Sequence, residues 1–193
     1  MRLVLASGSP RRREMLTALG LDFEVVSPDV DESRHPDEAP SAYAERLARA
    51  KAAAVAGPGA VVVAADTIVV HRGIVMGKPV HPAEARSMLE RLSGERHTVI
   101  SGVAVARWDG GPVIVSDTER TAVSFVELTL EEIAAYVDTG EPMDKAGAYG
   151  LQGAAGAFVD RVEGSPSNVV GLPLSLATRL LRAAGVRVLG QST

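Results

Sequence analysis

Asp66 stands inside the most apolar run of the chain, with Val61-Val62-Val63-Ala64-Ala65 before it and Ile68-Val69-Val70 just after Thr67. A carboxylate buried there without a partner is expensive, so Asp66 needs a cation, a metal or a proton. Glu32, in Asp31-Glu32-Ser33, is a second candidate acid, though its acidic surroundings suit a solvated surface charge equally well. Near the start, Leu3-Val4-Leu5-Ala6 runs into the turn Ser7-Gly8-Ser9-Pro10 and then into Arg11-Arg12-Arg13. A turn between strand and helix presents backbone N–H groups to an anion, and glycine allows close approach. Three arginines in a first helical turn oppose the macrodipole and repel one another, which makes sense if a multiply charged anion sits there.

The lysines narrow the chemistry further. Of 20 basic residues only Lys51, Lys78 and Lys145 are lysine, in a composition rich in alanine and valine that has put arginine almost everywhere else. Lysine is a compact point charge and arginine a planar fork, so a lysine kept against that bias suits close contact with one phosphate oxygen or one carboxylate. The stretch Asp144-Lys145-Ala146-Gly147-Ala148-Tyr149-Gly150-Leu151-Gln152-Gly153 adds backbone access, an aromatic face and an amide able to read a base edge; a plain structural loop reads the same way. Other chemistries are excluded. Gly73-Ile74-Val75-Met76-Gly77-Lys78 has one residue too few between its glycines for a P-loop, and Pro79 replaces the magnesium-binding hydroxyl. No serine has a nucleophile-elbow context. His35, His71, His81 and His97 lack metal-ligand spacing and read as structural, and the absence of cysteine removes thiol catalysis, thiolate metal sites and disulfides together.

These residues need a scaffold of strands and helices in alternation. The pattern predicts a strand over 3–6, a helix from Arg11 to Leu19 with Met15, Leu16 and Leu19 inward, and a strand over 23–27. A loop from Pro28 to Pro40 follows, then a helix capped by Ser41 and running to Ala56, with Tyr43, Leu47, Ala50 and Ala54 inward. The apolar run around Asp66 reads as a central strand covered on both faces. Pro82 to Ser93 reads as a helix with Ala85, Met88, Leu89 and Leu92 inward. Two β-rich segments, 97–107 and 113–126, flank Asp109-Gly110-Gly111, a hairpin signal. Thr129 and Glu132 form a capping box for a helix to Val137, and Pro173 to Ala184 closes the pattern as an amphipathic helix. Alternation with one central hairpin predicts an α/β fold with a mixed β-sheet and flanking helices.

Length and charge bound the rest. A chain of 193 residues suits one globular unit, at most with two lobes. Apolar residues at 46% and charged residues at 23% exclude a disordered chain. No uncharged run reaches the roughly 18 residues of a membrane span, and the apolar segment after Met1-Arg2 is too short for a secretory signal, so a cytoplasmic location is expected. A net charge of −4 argues against a nucleic-acid binder.

In order along the chain, Leu5-Ala6-Ser7-Gly8-Ser9-Pro10-Arg11-Arg12, Glu32, Arg46-Leu47-Ala48-Arg49 with Lys51, Ala65-Asp66-Thr67, Gly77-Lys78-Pro79, Leu92-Ser93-Gly94, Asp144 to Gly153 and Val170-Gly171-Leu172-Pro173 resemble the motifs of the Maf family of nucleoside triphosphate pyrophosphatases. The resemblance covers nearly the full chain, as a single Maf-like domain over 1–193. It implies an elongated α/β fold with two lobes around a nucleotide-binding cleft, as in inosine triphosphatases, dependence on a divalent cation such as Mg²⁺ or Mn²⁺, a homodimer, and hydrolysis of a triphosphate to monophosphate and pyrophosphate. By position, Asp66 matches the family's general base and Ser7, Arg12, Glu32, Lys51 and Lys78 its phosphate- and metal-site residues; Lys145 would complete the phosphate clamp. Glu32 and Asp66 are the metal candidates, and Asp66 suits the base, a ligand, or both. Arg11, Thr67 and Gln152 match the combination of the dTTP/UTP subgroup. Two departures are small: Arg13 extends the arginine pair, and Ser101 stands where threonine is expected. The competing class is a non-catalytic nucleotide-binding regulator of cell division or septum formation, which has no need of a carboxylate beside the phosphates.

Overall fold

The computed structural model describes residues 2–189. It is a mixed α/β protein built on one seven-stranded sheet in the order β2-β1-β3-β5-β6-β7, with β4 paired to β3. The strands are β1 (Arg2–Ala6), β2 (Glu24–Val26), β3 (Ala60–His71), β4 (Ile74–Met76), β5 (Arg96–Trp108), β6 (Pro112–Phe125) and β7 (Val159–Glu163). The helices are α1 (Pro10–Ala18), α2 (Pro40–Val55), α3 (Pro82–Leu92), α4 (Leu130–Asp138), α5 (Pro166–Val170) and α6 (Leu174–Ala183). β1 pairs in parallel with β2 and β3, whereas β3–β4 and β6–β7 are antiparallel. Parallel neighbours need a crossover, and α1 and α2 supply the covering layer, which explains why β1 and β3 read as continuous apolar runs.

Contacts divide the chain into two compact units. The first comprises the residues up to Asp66, Ser101–Glu119 and those from Gly171 onward; the second comprises Thr67–Ile100 and Arg120–Val170. In the first, Val4, Ala6, Val62, Ala64, Ala104 and Ala106 of the strands bury against Ala48 and Ala52 of α2. Such small side chains let the helix lie close to the sheet, and at Gly102 a Cβ would overlap the carbonyl of Ala44. The second unit has the larger core side chains. Leu89 and Leu92 of α3, Ile133 and Tyr136 of α4, Val123 and Phe125 of β6, and Phe158 pack together. Phe125 meets Tyr149 edge-on at 4.8 Å between ring centres, and Tyr136 meets Phe158 at 5.2 Å.

Most expected elements are present. α3 buries Ala85, Met88, Leu89 and Leu92, and Thr129 and Glu132 close a capping box on α4. α2 differs in two respects. Pro40 occupies its first turn after an N-cap at Ala39, so Ser41 lies within the helix. Its buried face is Ala44, Leu47, Ala48 and Ala52, turned from the expected Tyr43, Ala50 and Ala54, because an alanine-rich helix carries little hydrophobic contrast. β7 and α5 arise between Gly153 and Gly171, where no strand or helix was expected.

Candidate active site

The first unit carries six of the expected residues, Ser7, Arg11, Arg12, Glu32, Lys51 and Asp66, on the turn after β1, the first turn of α1, the loop before α2, α2 itself and β3. β1 ends at Ala6, and the Ser7-Gly8-Ser9 turn leads into α1 with Pro10 at its first position. Ser7 is buried, and its Oγ accepts from the Ser9 backbone N–H and from Nη1 of Arg12, each at 3.2 Å. Arg12 Nε donates to the Gly171 carbonyl at 2.8 Å, tying the first turn of α1 to the start of the C-terminal segment. Burial lowers the Arg12 pKa from its ordinary value, opposed by the negative charges of Asp66 and Glu32 and reinforced by neighbouring Arg11. The guanidinium stays charged, since arginine titrates far above neutrality.

Asp66, near the middle of β3, is buried as the sequence predicts, and it meets a cation. Lys51 Nζ donates to Asp66 Oδ1 at 2.7 Å and forms an ion pair with Glu32 Oε1 at 2.6 Å. The side chains of Lys51 and Asp66 are each 11% exposed, whereas that of Glu32 is 61% exposed. One ammonium therefore holds two carboxylates together, one from the sheet and one from a loop, with the loop side open to solvent. Lys51 reaches this position from α2, one residue before buried Ala52.

The loop carrying Glu32 is held by α2 itself. Tyr43 Oη donates to the Glu32 carbonyl at 2.7 Å, and Arg46 Nη2 donates to the Ser33 carbonyl at 2.9 Å. Arg46 also grips Glu38 through two bonds, Nε to Oε1 at 2.7 Å and Nη2 to Oε2 at 2.9 Å. This paired contact holds the Glu38 carboxyl down at about 2. Sequence reading put Tyr43 on the inward face of the helix and Arg46 in a matched motif, with no part in holding the loop for either. Their three-residue spacing puts them on one helix face, but only the loop's path reveals what that face grips.

The other candidates belong to the second unit. Thr67 is half-buried on β3, immediately after Asp66. Lys78 and Gln152 are exposed, and neither makes a hydrogen bond or ion pair among the described residues. The Gly147 N–H donates to the Gly77 carbonyl at 3.0 Å, which sets Gly77-Lys78-Pro79 beside the segment from Asp144 to Gly153. Lys145 is occupied locally, its Nζ donating to the Glu141 carbonyl at 2.6 Å and to Asp144 Oδ1 at 2.8 Å. Tyr149 does not offer the aromatic face expected of it: it is buried, with its Oη 2.8 Å from His97 Nε2. The histidines have structural surroundings. His71 contacts Glu95, His81 Nδ1 caps α3, and burial, together with the charge of His71, pushes His97 down to about 4.

Glu32 and Asp66 are oxygen donors on a shared cation, the kind of pair that holds magnesium when substrate phosphates and water complete the shell. No cluster of three or more potential ligands from His, Cys, Asp and Glu occurs among the described residues. Three cations, Arg11, Arg12 and Lys51, and two carboxylates leave the group with an excess of positive charge suited to an oxyanion.

Fold and site thus define an α/β protein with a carboxylate–lysine–carboxylate centre next to an arginine-bearing strand–turn–helix. A family model described as Maf-like protein matches residues 2–184, and the chain belongs to the Maf family. A protein of Anaeromyxobacter sp. (strain Fw109-5) named dTTP/UTP pyrophosphatase is 56% identical over 95% of this chain and 90% of its own. Another of that name, from Hahella chejuensis, is 51% identical over 97% of this chain and 94% of its own. The solved structure of the Staphylococcus aureus Ham1 protein covers 95% of this chain and 97% of its own at 16% identity, with a TM-score of 0.48, a likeness too weak to carry an argument.

Proposed function

We propose that this chain is a nucleoside triphosphate pyrophosphatase that hydrolyses dTTP and UTP to the monophosphate and pyrophosphate. The observation that carries the reading is the Lys51 ammonium bridging Glu32 and Asp66, within electrostatic reach of Arg12 and the Ser7 turn. Family membership and the names of relatives about 50% identical support it. A carboxylate held beside an anion grip favours turnover over a regulator that only binds nucleotide.

In this reading Ser7, Arg12, Lys51, Lys78 and Lys145 hold the phosphates, and Glu32 and Asp66 hold a divalent cation, Mg²⁺ or Mn²⁺. When bound, that ion offsets phosphate charge. Lys51 remains against Asp66 and stabilises charge that develops on the phosphate oxygens. Asp66 orients a water towards the α-phosphorus and takes its proton. A bond forms from the water oxygen to the α-phosphorus, and the bond from that phosphorus to the α–β bridging oxygen breaks. The bridging oxygen leaves with pyrophosphate. Arg11, Thr67 and Gln152 set base preference.

We further infer that residues 1–193 act as one domain, that two copies associate as a homodimer, and that the protein works in the cytoplasm without nucleic acid or membrane. The family resemblance supports the dimer. No helix among the described residues is long and apolar enough to cross a membrane. The test is pyrophosphate release over a panel of nucleotides, with and without Mg²⁺ or Mn²⁺, in water enriched in oxygen-18. Label in the monophosphate together with pyrophosphate release is expected. Orthophosphate and diphosphate as products refute the reading.

A further inference from the structure

We infer that Glu141 is a positioning residue for base selection, acting through contacts on either side of Gln152. This rests on the proposal that Gln152 meets the base. Glu141 opens a short 3-10 turn after Gly140, and its carboxylate takes two donors from different elements. Tyr136 Oη of α4 donates to Oε1 at 3.0 Å, and the Ala154 N–H donates to Oε2 at 3.2 Å. The same residue's carbonyl accepts from Lys145 Nζ. Glu141 thus holds the segment on both sides of Gln152, by a cation before it and an amide after it.

Two further features fit that role. Tyr136 is buried in the core of the second unit, so the carboxylate is referenced to a rigid element and not to a loop. The Gly153 N–H closes a turn onto the Gly150 carbonyl at 3.1 Å, with Gln152 inside it. The Glu141 carboxylate lies against that turn, and a Cβ on Gly153 would overlap Oε1 and crowd Oε2. The backbone at Gly153 is extended, with φ −97°, a conformation alanine adopts without strain. Glycine is needed there because the carboxylate comes so close.

An exposed side chain such as Gln152 discriminates between bases only if its backbone is held, since a mobile amide can satisfy either edge. Removing the Glu141 carboxylate strands the Tyr136 hydroxyl and the Ala154 amide and frees the turn. The test uses Glu141→Ala, Gly153→Ala and Glu141→Gln in the full chain. Two readouts are taken: the ratio of kcat/KM for dTTP to that for GTP, and amide hydrogen exchange over residues 150–156 without nucleotide. Glu141→Ala is expected to reduce the ratio about tenfold, mainly through a higher KM for dTTP, and to speed exchange at least tenfold. Gly153→Ala should reproduce both effects by displacing the carboxylate. Glu141→Gln, which keeps an acceptor, should recover most of each. Unchanged exchange, or an unchanged ratio in an enzyme that prefers dTTP, overturns the inference. A wild-type chain with no pyrimidine preference refutes the underlying reading of Gln152 instead, a failure that the nucleotide-free exchange data distinguish.

Discussion

Lys51→Met tests whether the bridging ammonium supports the fold as well as the chemistry. The methionine keeps most of the volume and leaves Asp66, buried to all but 11% of its side chain, facing Glu32 with no cation between them. An ion pair taken out of water roughly offsets its own desolvation, so its formation contributes little, yet removal of one member typically costs 3–5 kcal/mol. Glu32 is 61% exposed and its charge is screened, so the penalty falls on Asp66 and belongs at the low end, about 3 kcal/mol. For a chain of this size that corresponds to a drop in Tm of roughly 6–12 °C. Urea unfolding at pH 8 and low salt should give the loss for Lys51→Met, and the double variant Lys51→Met/Asp66→Asn should regain at least half of it, because the stranded charge is gone. A single variant that loses less than about 1 kcal/mol refutes the reasoning. So does a double variant no more stable than the single.

Asp66→Asn should bind dTTP within a few-fold of the wild type while turnover falls at least about a hundredfold; near-normal turnover with Mg²⁺ or Mn²⁺ excludes it as base or ligand. Gln152→Glu should lower kcat/KM for dTTP and UTP more than for GTP, since glutamate offers acceptors only, whereas an amide matches the O4 and N3–H edge of the pyrimidine. Equal losses would mean that Gln152 does not read the base. His97 supplies a pH dependence of stability. Its folded pKa of about 4 lies below its ordinary value of 6.5, so the unfolded chain takes up the proton first as pH falls. Its contribution is intact above about pH 6.5 and declines by about 3 kcal/mol between there and pH 4. Urea unfolding of wild type and His97→Phe across that range should show a stability difference that changes by this amount, and a constant difference contradicts the assignment.

Elements with strong local signals were legible in the sequence. α3 has a clear apolar stripe, α4 has its capping box, and the run around Asp66 is a central strand. α2 was legible as a helix but not in its orientation, because alanine on every face leaves periodicity without contrast and Tyr43 turns towards a polar partner. β7 was obscured by the charged residues Asp160, Arg161 and Glu163 among glycines. At the site, the need of Asp66 for a cation, a metal or a proton followed from the apolar run around it, and Lys51 stood out because arginine had not replaced it. That the two meet, with Glu32 on the same nitrogen, depends on the approach of α2 to the sheet, which no local pattern encodes.

Helix α2 carries Tyr43 and Arg46, which fix the loop bearing Glu32, and also Lys51, which the Glu32 carboxylate meets. A small shift of the helix moves anchor and cation together, so the Glu32–Lys51 separation is insensitive to it. The Lys51–Asp66 separation has no such protection, because Asp66 rides on β3. Gly102 supplies the missing constraint: on β5, next to β3 in the sheet, it brings strand backbone against the backbone of α2 at Ala44. Any side chain there would act as a wedge, widening one distance at the centre while leaving the other unchanged. Position 102 is therefore a place where natural drift or a mutagenic library would detune the centre without touching a residue that belongs to it.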